Sequence, residues 1–173
     1  MSTLTYWFTG LPGSGKSTLA AALAAMFRHA SQACAVLDGD AMRRGLCADL
    51  GFEDAHRREN LRRIAEVARM LNDNGIHAIA AVIAPSTADR LRARRIIGEP
   101  RFREVFVDAP LAVCESRDPK GMYRRARAGL LANFTGVSAP YEAPTKADVH
   151  LLTSVHSIGE CTERLFADWR SGR

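Results

Sequence analysis

Residues 10–17, which read GLPGSGKS, constrain the fold of this chain more than any other stretch. They match the pattern GxxxxGK(S/T), whose glycines let successive backbone N–H groups converge on one anion. Residues 4–9 form an apolar strand pattern, and residues 17–28 form an alanine-rich helix pattern. This order of strand, loop and helix predicts a phosphate-binding loop that presents its anion to a helix N-terminus.

The end of this loop carries a cation and a hydroxyl with defined roles. Lys16 would reach the β and γ phosphates of a nucleotide, and the Ser17 hydroxyl would bind the Mg²⁺ that they carry. The alternative is a chance glycine turn, which the flanking strand and helix patterns argue against. The predicted nucleotide-binding residues are Gly10, Leu11, Pro12, Gly13, Ser14, Gly15, Lys16, Ser17 and Thr18.

Length and composition limit the class of protein. With 173 residues, 47% hydrophobic and 25% charged, we expect one soluble domain over residues 1–173. No apolar run approaches the roughly 20 residues that span a bilayer, so we predict a cytoplasmic protein with no membrane partner. The four cysteines form no CxxC pair, which favours reduced, packed thiols over a zinc or redox site.

The net charge of +5 is compatible with nucleic acid or with a small anionic substrate. The arginines cluster in segments that a phosphate-handling enzyme also needs. No basic stretch interleaved with aromatic residues is present, and no known nucleic-acid-reading motif is found. We therefore predict no nucleic-acid partner.

Strand and helix patterns alternate along the chain and predict an α/β fold. A five-stranded parallel sheet with helices on both faces follows from this alternation. The remaining strands are predicted at residues 33–37, 76–83, 103–107 and 148–152. The remaining helices are predicted at residues 41–46, 54–72, 86–97, 111–116 and 157–169. Residues 117–146 have little apolar periodicity around a basic helix at 121–128, which predicts a mobile lid.

Ligands of such sheets lie at the carboxyl ends of the strands, where Gly10, Asp38, Ala84 and Asp108 all fall. Asp38 and Asp40 are two apart, so in extended backbone they would project to the same side, with Gly39 leaving room for a ligand. Either carboxylate could accept a proton or hold Mg²⁺ through water. The alternative is an ordinary Asp-Gly turn.

Three further polar residues predict a second anion site. Arg57 and Asn60 are three apart near the start of a helix and share a face, and Arg43 follows the aspartates by one turn. Two guanidinium groups in one cleft suit bidentate binding of a sulfate or phosphate.

Several segments in order closely resemble the adenylylsulfate kinase (APS kinase) family, from about Thr5 to Leu152. They are Asp38-Gly39-Asp40 with Arg43, Gly51-Phe52, Arg57-Arg58-Glu59-Asn60, Asp118-Pro119-Lys120-Gly121, Asn133-Phe134-Thr135-Gly136 and Pro140-Tyr141-Glu142. The resemblance implies the P-loop NTPase fold of the nucleotide-kinase branch. It also implies transfer of the ATP γ-phosphoryl group to adenosine 5'-phosphosulfate, giving 3'-phosphoadenosine 5'-phosphosulfate and ADP, with Mg²⁺ as the cofactor.

The same resemblance implies a role for each matching residue. Phe52 and Phe134 would sandwich the substrate adenine, and Phe134, in a polar loop, is expected to have little core to join. Lys120 would lie near the transferred phosphoryl group, and Ile83 would present backbone to the substrate. The phosphosulfate would be bound by Arg43, Arg57 and Asn60, and the ATP adenine by Arg117 and Asp118. An ordinary surface ion pair is the alternative for the last two.

The expected mechanism is direct in-line transfer to the ribose 3'-hydroxyl. Asp38 would accept the proton, Asp40 would orient it or hold metal-bound water, and Lys16 and Lys120 would meet the phosphoryl oxygens. Loss of Lys16 is predicted to reduce the rate more than loss of the base. Ala84 replaces a serine that many family members carry, so a phosphoserine route through this position is excluded.

Two other functions stay open at this point. One is another small-molecule kinase of the same fold, acting on a nucleoside monophosphate or a sugar acid. The other is a nucleotide-binding module without chemistry. Family resemblance alone implies a homodimer, and it leaves open whether an ATP sulfurylase associates with the chain.

Overall fold

The computed structural model describes residues 3–172, in which five parallel strands form one sheet. The strands lie in the order β2-β3-β1-β4-β5, and all four neighbouring pairs are parallel. Their bounds are β1 Thr5–Thr9, β2 Cys34–Asp38, β3 His77–Ala81, β4 Phe102–Asp108 and β5 Val149–Leu152. The predicted five-stranded parallel sheet is confirmed, and the first strand lies at its centre.

Helices connect these strands as the sequence patterns predict. They are α1 Lys16–His29, α2 Gly39–Arg44, α3 Asp54–Asp73, α4 Thr87–Ile97, α5 Leu111–Arg117, α6 Met122–Arg127 and α7 Ile158–Ser171. A short 3-10 helix at Glu99–Arg101 leads into β4. β3 ends at Ala81 rather than at residue 83, and α2 begins and ends two residues earlier than the predicted 41–46. Ala84 takes a left-handed conformation with φ of 43°, and this turns the chain out of the sheet.

Two hydrophobic layers cover the two faces of the sheet, and alternate residues of β1 point into each. Tyr6 and Phe8 pack with α1 and α7 on one face, where Phe27 and Leu165 are fully buried. Trp7 packs with α3 and α4 on the other face. All five residues of β1 are buried, which is expected of a central strand whose alternate side chains face opposite layers. Helices on both faces are thereby confirmed.

The predicted lid has a small apolar core of its own, which its weak periodicity did not indicate. Tyr123 and Phe134 contact each other edge to face, with ring centroids 5.0 Å apart. Ala109 and Cys114, at the base of the lid, are buried in the same cluster. The expectation that Phe134 has little core to join is wrong, since the residue is only 9% exposed. Its partners come from distant segments, so its local polar context was misleading.

Two further expectations concern membrane-spanning helices and the state of the cysteines. Within residues 3–172, no helix is both long enough and apolar enough to cross a membrane. The four cysteines are unpaired, and three of them are buried: Cys47, Cys114 and Cys161. This agrees with the packed thiols that the sequence predicts.

Candidate active site

The phosphate-binding loop joins β1 to α1, and two of its glycines pack closely against the backbone of β4 and α5. A Cβ on Gly10 would lie 2.3 Å from the Val107 carbonyl oxygen, and one on Gly13 would lie 2.9 Å from that of Cys114. Both glycines also have positive φ angles, of 156° and 77°. Only glycine fits at these two positions, so the sequence motif is explained by packing as well as by backbone conformation.

Lys16 is folded back over this loop and is almost completely buried. Its ammonium group donates to the carbonyl oxygens of Gly10 at 2.9 Å and Leu11 at 2.7 Å. Burial lowers the pKa of Lys16 to about 8, and the nearby Asp40 and Asp38 carboxylates only partly offset that effect. A buried cation held by two carbonyl oxygens and, at 3.4 Å, by the Ser14 hydroxyl is ready to exchange these neutral partners for phosphate oxygens.

Helix α1 begins at this lysine without a side-chain cap. Its first N–H groups therefore have no side-chain acceptor, and the partial positive charge of the helix N-terminus adds to them. Ser17, in the first turn, is exposed and donates to the Asp38 carboxylate at 2.7 Å. Thr18 beside it is exposed as well. These features together could bind the anion that the motif predicts.

Asp38 and Asp40 do not project together from extended backbone as predicted. Asp38 is the N-cap of α2, and its carboxylate accepts from the backbone N–H groups of Asp40 and Ala41. Because a helix begins at Gly39, Asp40 lies in its first turn rather than in extended backbone. Burial raises the pKa of Asp38, but the hydrogen bonds from Ser17, Ala41 and Asp40 outweigh it and leave that pKa below its ordinary value.

Asp40 instead forms an ion pair with Lys120 of the lid. The side chains are 57% and 63% exposed, respectively. An ion pair this open to solvent contributes roughly 0–1 kcal/mol, so Lys120 can leave Asp40 at little cost. The structure thus brings the lid lysine to Asp40 in the first turn of α2, a partner that the sequence did not reveal.

Arg43 contacts the loop that carries Phe52. Its guanidinium donates to the Gly51 carbonyl at 2.9 Å and lies 4.4 Å from the centroid of the Phe52 ring. Phe52 is 61% exposed. One face of this ring is therefore covered by Arg43, which orients the ring through a cation–π contact.

Arg57 bridges the two phenylalanine loops. Its guanidinium donates to the Phe52 carbonyl at 2.7 Å, to the Thr135 hydroxyl at 3.0 Å and to the Asn133 carbonyl. Thr135 and Asn133 flank Phe134, so a single side chain of α3 connects both loops. Burial lowers the pKa of Arg57. The predicted clustering of Phe52, Phe134 and Arg57 is therefore present in the fold.

Asn60 lies one turn further along α3 and is 5% exposed. Its Nδ2 atom is buried and has no hydrogen-bond partner within residues 3–172. A buried amide donor left unpaired is costly, which marks this atom as one that a ligand or water would satisfy. The prediction that Asn60 shares a site with Arg57 is compatible with this placement.

Arg117 and Asp118 do not form an ion pair with each other. Arg117 donates to the Thr153 carbonyl at 2.6 Å and approaches the Gly13 carbonyl at 3.4 Å. Asp118 instead caps α6 by accepting from the N–H groups of Tyr123 and Arg124. Arg117 therefore lies beside the phosphate-binding loop, whereas Asp118 has a structural partner.

Three residues at the site were missed by sequence reasoning because their roles depend on tertiary contacts. Thr153 donates to the Ser14 carbonyl at 2.8 Å, and the Tyr123 hydroxyl donates to the Pro12 carbonyl at 2.9 Å. The Tyr141 hydroxyl lies 3.0 Å from the Thr9 hydroxyl, directly before the loop. Of the three, only Tyr141 stood in a segment that the resemblance singled out.

The metal-binding capacity of the site is limited to a few oxygen atoms. Among the described residues, no group of three or more His, Cys, Asp or Glu side chains could hold a metal. The neighbouring Ser17 hydroxyl and Asp38 carboxylate still fit Mg²⁺, which takes few protein ligands and completes its shell with phosphates and water. A nucleotide would therefore have to supply part of any metal site here.

Comparisons with known protein families, sequences and structures all find adenylylsulfate kinases. The family model of adenylylsulphate kinase matches residues 2–152. The adenylyl-sulfate kinase of Aeromonas salmonicida is 49% identical over 169 residues, covering 98% of this chain and 86% of that protein. The adenylyl-sulfate kinase of Klebsiella pneumoniae is 56% identical over 145 residues, covering 84% of this chain and 72% of that protein.

This chain is similar in structure to Mycobacterium tuberculosis APS kinase CysC in complex with AMPPNP and APS, over nearly the whole length of both chains. The TM-score is 0.94 at 42% sequence identity, and the superposition covers 98% of both chains. The similarity therefore extends over the sheet, the phosphate-binding loop and the lid alike.

Proposed function

The chain belongs to the adenylylsulphate kinase family, and on that premise we propose how its residues transfer the γ-phosphoryl group of ATP to the 3'-hydroxyl of adenosine 5'-phosphosulfate. The products are ADP and 3'-phosphoadenosine 5'-phosphosulfate. The observation that carries the proposal is the pairing of two unlike anion sites. One is the phosphate-binding loop with buried Lys16, and the other is the arginine pair joined to two phenylalanine loops.

The donor side binds the phosphates of ATP. The loop and the uncapped start of α1 hold the phosphate oxygens, and Lys16 exchanges its carbonyl partners for the β and γ phosphates. Arg117, beside Gly13, lies against the nucleotide. Mg²⁺ would be held by Ser17 directly and by Asp38 through water, and it would neutralise charge on the β and γ oxygens.

The acceptor side binds adenosine 5'-phosphosulfate. Arg43, Arg57 and Asn60 take its charged end, while Phe52 and Phe134 hold the adenine and Ile83 offers backbone. Lys120 exchanges Asp40 for the transferred phosphoryl group, which its weak surface pairing permits. Asp38 receives the proton of the 3'-hydroxyl, and Asp40 supports its orientation. Direct transfer is the route, because Ala84 has no hydroxyl to phosphorylate.

The wider setting follows from the same chemistry. Adenosine 5'-phosphosulfate is an activated form of sulfate, so we propose a functional link to an ATP sulfurylase and a role in sulfate activation and assimilation. We place the enzyme in the cytoplasm as a homodimer.

The proposal predicts strong dependence of ADP release on one acceptor. ADP production with Mg²⁺ and ATP should rise at least about tenfold on adding adenosine 5'-phosphosulfate, while AMP and gluconate give no comparable rise. A coupled assay of ADP with each compound makes this comparison. Stimulation by AMP or gluconate instead would identify another kinase of this fold. ADP release that no acceptor changes would identify a nucleotide-binding module without this chemistry.

The lowered pKa of Lys16 predicts proton uptake when ATP binds. At pH 8 about half of the free protein carries the neutral amine, and bound phosphates favour the charged form, so binding should take up about half a proton. At pH 6.5 Lys16 is already charged, and its uptake should vanish. Calorimetry in buffers of different ionisation enthalpy measures this difference. Lys16→Met should abolish the uptake at pH 8, and its persistence there would contradict the assignment.

A further inference from the structure

The segment of residues 83–85, which follows β3, is held in an unusual conformation by side chains outside the binding residues. Ala84 is a left-handed alanine, and it is 1% exposed. Residues with a Cβ disfavour this conformation, so surrounding contacts must maintain it. The segment lies between two parts of the site, since Gly10 donates its N–H to the Ile83 carbonyl and β3 pairs with β2 up to Asp38.

Arg90 of α4 lies behind this segment and is 3% exposed. Its guanidinium donates to the Ala84 carbonyl at 2.9 Å, to Glu104 at 2.7 Å and to the Thr87 hydroxyl at 3.1 Å. All of these partners belong to the protein, and the side chain is too buried to reach a ligand. Glu104 on β4 anchors the charge, and the side chain thereby ties the turn at Ala84 to the sheet.

We propose that Arg90 is a positioning residue for the acceptor substrate, acting by holding Ala84 left-handed so that the Ile83 backbone faces the second site. This inference rests on the proposed function, in which Ile83 contacts adenosine 5'-phosphosulfate. Thr9 assists, since its hydroxyl lies 2.6 Å from the Ile83 carbonyl and 3.2 Å from the Ala84 carbonyl. Arg90 supplies the only charged donor to the segment among residues 3–172.

The donor side shares one described hydrogen bond with this segment, from the Gly10 N–H to the Ile83 carbonyl at 3.4 Å, and none with Arg90. The phosphate-binding loop has its own contacts, from Lys16 to Gly10 and Leu11, from Tyr123 to Pro12 and from Thr153 to Ser14. Loss of Arg90 should therefore weaken use of the acceptor while leaving use of ATP nearly unchanged. A general loss of folding would not separate the two substrates in this way.

The test is Arg90→Lys, which keeps the charge near Glu104 but cannot reach three acceptors in one plane. KM for adenosine 5'-phosphosulfate should rise about tenfold, and KM for ATP should change less than about twofold. The matched control is Arg94→Lys on the same helix. Arg94 also approaches Glu104, at 4.0 Å, and pairs with Asp148, but it makes no contact with residues 83–85 among the described hydrogen bonds. The Arg94→Lys variant should have a lower melting temperature than the wild type, with both KM values unchanged.

Glycine at position 84 provides the second measurement. Glycine adopts positive φ without steric cost. The double variant Ala84→Gly/Arg90→Lys should therefore have a several-fold lower KM for adenosine 5'-phosphosulfate than Arg90→Lys alone. The proposal is overturned by an unchanged acceptor KM in Arg90→Lys, by equal rises for both substrates, or by no recovery with glycine. Should Arg90→Lys not fold, Glu104→Gln, which removes the anchor, is measured by the same criteria. A wild-type enzyme that ignores the acceptor would refute the proposed function instead.

Discussion

Replacing Lys16 with alanine is expected to lower the single-turnover rate of phosphoryl transfer by about a thousandfold, more than Asp38→Asn lowers it. The transition state of such transfers is loose in most analyses, so charge on the phosphoryl oxygens matters more than removal of the hydroxyl proton. Lys16 is the buried cation of the loop, and its carbonyl partners release it to the phosphates without leaving a carboxylate unpaired.

The contacts of Asp38 support the same order. A carboxylate that accepts from Ser17, Asp40 and Ala41 has a lowered pKa, and this makes it a weak proton acceptor. Its loss should disturb the start of α2 and the Ser17 hydroxyl more than the proton transfer itself. We expect Asp38→Asn to reduce the rate by roughly tenfold to a hundredfold.

Rapid-quench measurements at saturating ATP and acceptor compare the two variants directly. Lys146→Ala is the control, because this lysine, at the end of the lid, is exposed and its side chain makes no described hydrogen bond or ion pair. Its rate should stay within about twofold of the wild type. A larger loss for Asp38→Asn than for Lys16→Ala would show that proton removal dominates, and the loose transition state would then be the wrong description.

The fold and the phosphate-binding loop could be predicted because their signals are local. The motif is contained in the eight consecutive residues 10–17, and apolar periodicity indicates the strands and helices. Carboxyl ends of neighbouring parallel strands meet at one edge, so the polar residues that follow them gather there. This rule alone predicted that Asp38 lies at the same edge of the sheet as Gly10 of the phosphate-binding loop.

The predictions that failed were overridden by one of two effects. Either contacts between residues distant in sequence or a helix cap outweighed the local pattern. Asp40 lies in a helix rather than in extended backbone because the Asp38 side chain caps a helix that begins at Gly39. Phe134 was expected to be free of a core, but Tyr123 and the base of the lid bury it. The left-handed turn at Ala84 had no local signal at all, since alanine there is stabilised by Arg90 and Thr9. The roles of individual site residues stay predictions.

Arg57→Met is expected to raise KM for adenosine 5'-phosphosulfate by about a hundredfold or more, with KM for ATP changed less than about threefold. Two effects combine in this variant. The anion loses one guanidinium ligand, and the two phenylalanine loops lose the side chain that joins the Phe52 carbonyl to Asn133 and Thr135. The adenine and the charged end of the substrate are then both affected.

Arg58→Met on the same helix is the matched control for this variant. Arg58 is exposed and makes no described hydrogen bond, so both KM values should stay within about twofold of the wild type. Thr135→Val separates the two effects, because it removes one partner of Arg57 and leaves the guanidinium in place. Its acceptor KM should rise only several-fold. Steady-state kinetics with each substrate varied in turn give all three comparisons. An acceptor KM for Arg57→Met no higher than that of Arg58→Met would place the second anion site elsewhere in the crevice.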